Sequence, residues 1–142
     1  MLTKEDNIKK LNSFRNVKIT KYDIVRVPVP TNIIEQAKII ISNLSHQPYV
    51  AQTVYESIKF IYSNDNNDYL EFILSNGNKL DVYTIVNDRA DRHQFYILSN
   101  LNGSIYISDI DNIVEKFLIG KNNKFLNNLK WKVRFRNLLG IK

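Results

Sequence analysis

Apolar residues recur along this chain with two periods, and the change from one to the other outlines a fold. Ile33, Ile34, Ala37, Ile40, Ile41 and Leu44 fall every three to four positions. That spacing lines one stripe of a helix and predicts a helix over 32–44, capped by Thr31 or Asn32 and broken by Ser45-His46-Gln47-Pro48. Near the start, Thr3-Lys4-Glu5-Asp6 reads as a capping box ahead of Ile8, Leu11 and Phe14, predicting a shorter helix over 4–14. Val17, Ile19 and the run Asp23–Val27 are β-branched and partly alternating, so an extended segment is expected there, ended by Pro28 and Pro30.

The period then falls to two. Ser57–Tyr62, Tyr69–Leu74, Leu80–Val86, Gln94–Leu98 and Ser104–Ile107 each read as a strand. Between them stand turn formers: Ser63–Asp68, then Asn76-Gly77, then Asn87–Arg92, then Asn102-Gly103. Short connections favour pairing of neighbours, so an antiparallel meander is expected. A last helical stripe, Ile110, Ile113, Val114, Phe117 and Leu118, starts at Ser108 or Asp109 and stops at Gly120. The fold class is α+β: an antiparallel β-meander of about five strands flanked by N- and C-terminal helices, in a single domain over 1–142.

Residues 121–142 fit this plan least well. Phe125, Leu126 and Leu129 suit a helix, whereas Lys130-Trp131-Lys132-Val133-Arg134-Phe135-Arg136 alternates like a strand. The segment reads as an appended helix or strand, with the helix favoured by its Lys, Arg and Leu content. Its charge changes the picture. The chain of 142 residues carries a net charge of +6, but unevenly. Residues 121–142 hold seven cations and no acid, residues 1–26 a net +4, and residues 27–120 a net −5. Basic ends on a mildly acidic body suit a polyanionic partner: RNA, a ribonucleoprotein complex, an anionic membrane or an acidic protein surface. Lys121, Lys124, Lys130, Lys132, Arg134 and Arg136 are the candidate phosphate contacts, with Trp131 and Phe135 for stacking or anchoring.

The stretch Pro48-Tyr49-Val50, Thr53, Ser57-Ile58-Lys59-Phe60-Ile61-Tyr62 and Tyr69-Leu70-Glu71-Phe72 resembles a loose group of small uncharacterised bacterial and phage proteins, over residues 33–83. Members often have an acid inside the first strand where this chain has Ile61. The resemblance transfers no activity and no site residue. It implies a setting, that of accessory proteins of phages and mobile elements, among which occur inhibitors of CRISPR-type host defence and toxin–antitoxin partners.

Chemistry beyond binding has little to draw on. With no Cys there is no disulfide, thiolate zinc site or thiol nucleophile, which fits a reducing cytoplasm. The N-terminus lacks the apolar run of a signal peptide, and apolar runs are too short to span a membrane. Asp88-Arg89-Ala90-Asp91-Arg92-His93 is the best catalytic candidate: a small ribonuclease with His93 as base and Arg89 or Arg92 on phosphate. A solvated turn accounts for the same residues. Asp109 and Asp111 suit a helix N-terminus better than a metal pair. Tyr62, Tyr69, Tyr83, Tyr96 and Tyr106 are candidates for a base-stacking platform, or simply line a sheet. The expected function is therefore non-catalytic: a basic binding protein for RNA or a nucleic-acid-handling complex, without metal or cofactor. A ribonuclease toxin and an antitoxin-like protein-interaction module are the alternatives.

Overall fold

The computed structural model describes residues 2–15, 18–19, 25–26, 28–53, 55–97 and 104–119. Helix α1 spans Lys4–Ser13, and the Thr3 hydroxyl accepts the Asp6 N–H at 3.1 Å, one half of the expected capping box. Strands β1 (Lys18–Ile19) and β2 (Val25–Arg26) pair antiparallel in a small sheet of their own. Helix α2 spans Thr31–Ser42. Its N-cap is Pro30, not Thr31 or Asn32, and no side chain caps it. Proline has the extended backbone an N-cap needs, so the helix begins one residue earlier than the polar residues suggest.

The main sheet has six strands in the order of the chain: β3 (Tyr49–Gln52), β4 (Ile58–Ser63), β5 (Tyr69–Ser75), β6 (Lys79–Val86), β7 (Arg89–Ile97) and β8 (Ser104–Ile105). The first five form an antiparallel meander. Three details differ from the sequence reading. Four-residue β3 joins the edge, too short for its alternation to stand out. Strand β7 starts at Arg89, because the turn after β6 is Asn87-Asp88 alone, both at positive φ. That mirror-image turn matches strand twist and holds residues 89–94, all polar but Ala90, in the ladder despite their weak strand propensity. Finally, β8 pairs parallel to β7, with Tyr96 opposite Ser104 and Ile97 opposite Ile105. A turn signal at 102–103 reports that the chain bends, not which way it then meets its neighbour.

Helix α3 spans Ile107–Leu118. Its N-cap is Tyr106, and Asp109 acts from inside the first turn, its carboxylate accepting the Tyr106 N–H at 2.8 Å. The expected stop, Gly120, lies outside the described residues.

Alternation decides what the sheet buries. Ile58, Phe60 and Tyr62, Leu70, Phe72 and Leu74, and Leu80 and Val82 all face one side. There they join the stripes of α2 (Ile33, Ile34, Ala37, Ile40, Ile41) and α3 (Ile110, Ile113, Val114, Phe117) in one cluster. Each fully buried Phe contributes about 2–3 kcal/mol. None of the described helices is long and apolar enough to cross a membrane.

Polar ties fix the helices to the strand ends. Asn64 accepts the Asn66 and Asp68 N–H groups through its carbonyl and donates its amide to Asp68 Oδ2 and to the Phe117 carbonyl of α3. Asp68 in turn accepts the Asn87 N–H, joining two turns. The Asp111 carboxylate accepts both the N–H and the hydroxyl of Ser45 at 2.9 Å. Buried Asn7 donates to Gln47 and to the Pro48 carbonyl, and Tyr62 donates its hydroxyl to the His46 carbonyl at 2.6 Å.

Two outcomes follow. Asn64→Ala should lower unfolding stability by about 2 kcal/mol in urea titration, since it strands two turn N–H groups and the α3 carbonyl together. Burial, and then the Asp111 carboxylate, push the Tyr62 phenol far above its ordinary range. The folded protein keeps that proton while the unfolded chain loses it near pH 10, so this stabilisation is full below about pH 10 and falls above it. Tyr62→Phe should therefore be less stable than the parent by about 1 kcal/mol at neutral pH. The deficit should close, then reverse, as titration of the parent costs about 1.4 kcal/mol per unit above about pH 10.

Candidate nucleic-acid interface

The residues between those of the core face point the other way, away from α2 and α3, and α1 meets them only at the β3 edge among the described residues. Register aligns them in rows across the sheet. Tyr49, Ile61, Glu71, Tyr83 and Arg92 lie side by side on β3 to β7, and Ala51, Lys59, Ile73, Asp81 and Gln94 form the next row. Tyr69 and Tyr83 meet edge to face, with ring centroids 6.3 Å apart. Tyr49 is about half exposed, and the Lys10 ammonium sits 4.1 Å above its ring centroid.

Charge is sorted between the two sides. Of the acids between residues 27 and 120, only Glu71 and Asp81 lie on this open face. Both are paired there: Glu71 with Lys59 at 3.2 Å, and Asp81 with Arg92 at 3.2 Å. Lys79 adds a further cation. The remaining acids lie on helices, in turns or, for Asp91, on the opposite face of β7. Glu71 also accepts the Tyr69 hydroxyl at 2.8 Å. Burial, then that hydrogen bond and the carboxylate's charge, hold the Tyr69 phenol above its ordinary range. The Tyr69 phenol stays a neutral donor to Glu71.

A groove of about 660 Å³ crosses this face. Ile61 and Ile73 lie along it, Asp81 and Arg92 stand at one side, and the Thr53–Ser57 loop stands at the other. That loop is held by one hydroxyl. Thr53 Oγ1 accepts the N–H groups of Tyr55 and Ser57, lies 2.5 Å from Ser57 Oγ, and the Thr53 N–H donates to the Ser57 carbonyl. The loop presents the Tyr55 ring 86% exposed, and Glu56 takes the positive φ that closes it.

The sequence-derived candidates are distributed unevenly. Lys121, Lys124, Lys130, Trp131, Lys132, Arg134, Phe135 and Arg136 lie outside the described residues. Of the tyrosines, Tyr69, Tyr83 and Tyr96 share the open face. Tyr62 belongs to the core instead, because its even position follows Phe60, and Tyr106 heads α3. Tyr49 and Tyr55 were not foreseen: one sits on a strand of only four residues, the other on a loop whose signal is the Thr53…Ser57 pair. Strand alternation separates His93 from Arg92, which points to the open face and pairs with Asp81. Arg89 shares the side of His93. Asp109 and Asp111 serve α3 and Ser45 as described above. Among the described residues no three His, Asp or Glu side chains gather as metal ligands. No protein family, curated protein or solved structure matches the chain.

Thr53→Val keeps the shape and removes the acceptor. It should cost about 1 kcal/mol in denaturant titration and raise hydrogen exchange at the Tyr55 and Ser57 amides ahead of the rest of the sheet.

Proposed function

We propose that this protein is a non-catalytic binder of single-stranded RNA, which it holds on the open face of its sheet with the basic segment 121–142 adding phosphate contacts. One observation carries the reading: the face of the sheet turned away from α2 and α3 gathers Tyr69, Tyr83 and Tyr96 with Lys59, Lys79 and Arg92, while the acids of the body lie elsewhere or are paired. Aromatic rings offer π-faces to any unstacked base, and cations follow the backbone. Seven cations without an acid in 121–142 supply the salt-sensitive part of the affinity. Such a protein suits action on an RNA-guided complex, including inhibition of a CRISPR-type defence system, in the setting that the resemblance implies.

The protein should purify at low salt with nucleic acid bound, seen in its ultraviolet spectrum, and release it at high salt. Joint replacement Tyr83→Ala and Tyr96→Ala should weaken single-stranded RNA binding by about tenfold or more, at about 1–3 kcal/mol per stacked base. Charge reversal at Lys132, Arg134 and Arg136 should weaken binding of all sequences alike and flatten its dependence on salt. A clean protein spectrum at low salt, with no RNA binding in fluorescence anisotropy, would reject the reading.

A further inference from the structure

Resting on the proposed RNA-binding reading, we infer that the bound RNA crosses the strands of the open face to the Thr53–Ser57 loop, where the groove holds a further nucleotide, with Tyr55 stacking its base and Lys59 contacting its phosphate. Tyr55 is 86% exposed, the most of any large apolar or aromatic residue among those described. A ring left in water adds almost nothing to folding. Yet the loop that carries it is built with care. Thr53 Oγ1 accepts the N–H groups of both Tyr55 and Ser57, and Glu56 takes a left-handed backbone at φ 59°. That conformation is strained for a residue with a Cβ, and such strain gathers at ligand clamps.

The groove bordered by Tyr55 supplies what a nucleotide needs beside a ring. Ile61 and Ile73 give it apolar area, and Lys59, opposite Ile73 in the register, gives it a cation. Lys59 pairs with Glu71 at 3.2 Å. An ammonium has three donors, so it can hold Glu71 and a phosphate oxygen together. Asp81, the acid that lines the groove, is answered by Arg92 at 3.2 Å. Stacking area with a cation alongside is how single strands are held.

Register gives the direction of the path. Ser75 lines the groove, exposed Lys79 lies opposite Ser75, and Tyr96 lies opposite Lys79. These residues form one row across β5, β6 and β7. At the usual spacing between strands, Tyr96 stands about 10 Å from Ser75. Tyr55, in the loop between β3 and β4, lies farther still. One base cannot stack on both rings. Tyr55 and Tyr96 therefore take different nucleotides of one RNA, with Lys79 along the way.

The test uses an oligouridylate of about ten residues, within the span of single-strand sites, with 4-thiouridine at each position in turn. It is photocrosslinked to the full chain, and the crosslinked peptides are mapped by mass spectrometry. The Tyr55 peptide should crosslink, and at a different uridine from the Tyr96 peptide. In anisotropy, Tyr55→Ala should weaken binding about tenfold with its melting temperature unchanged, because the ring is in water. Lys59→Gln keeps a donor for Glu71 and should lower the slope of log affinity against log salt by about 0.7. Crosslinks confined to other peptides, with both variants binding like the parent, would overturn the subsite and leave RNA binding standing. Crosslinks of Tyr55 and Tyr96 to the same uridine would overturn the crossing path. No binding by the parent at about 50 mM salt would overturn the RNA-binding reading, and the subsite with it.

Discussion

Phe60, Phe72 and Val82 lie side by side on three neighbouring strands, and the register that aligns them fixes the opposite face as well. Side chains on a strand alternate with a period of two. Once α2 and α3 seal these side chains from water, Lys59, Ile61, Glu71, Ile73, Asp81 and Tyr83 have nowhere to point but outward. A slip of one residue would put a Lys, a Glu and an Asp into the core, at a cost far above the protein's marginal stability. The burial that holds the sheet together is thus also what assembles the open face.

Register needs its strand ends held, and that work falls to short polar side chains. Asn64 and Asp68 tie two turns to each other and to the end of α3, and Asp111 ties the start of α3 to the loop after α2. Asp68 is buried with its partners in place, the condition under which a buried polar group supports a fold, and the Asp111–Ser45 tie lies nearer the surface. The acids that make the body negative are therefore partly structural. They sit at turns and helix starts because main-chain N–H groups are there to receive them.

The open face has a different character. Its two acids are paired with cations, and its apolar residues are spaced by polar ones. Such a surface attracts an anion less strongly than a basic patch would, but it presents planar apolar area beside donors. In the proposed reading it offers that area to unstacked bases, with long-range attraction left to the basic segment 121–142, whose cations outnumber those of the face.

The sequence by itself determined the helices α1, α2 and α3 to within a few residues, the strands β4, β5 and β6, and the antiparallel meander, because each carries a period of its own and a local turn signal. It also determined the segregation of charge. Tertiary structure decided the rest. Strand β7 extends through Arg89–Gln94 because a partner strand supplies its hydrogen bonds, and β8 meets β7 in parallel. Tyr62 fell to the core and Tyr49 to the surface. Asp81 and Arg92, eleven residues apart, became neighbours, whereas Arg92 and His93, adjacent in sequence, were parted. Periodicity is a property of each segment alone, and so it is legible. Which side of the sheet is sealed, and what stands across from what, depends on contacts between segments that no single window of sequence contains.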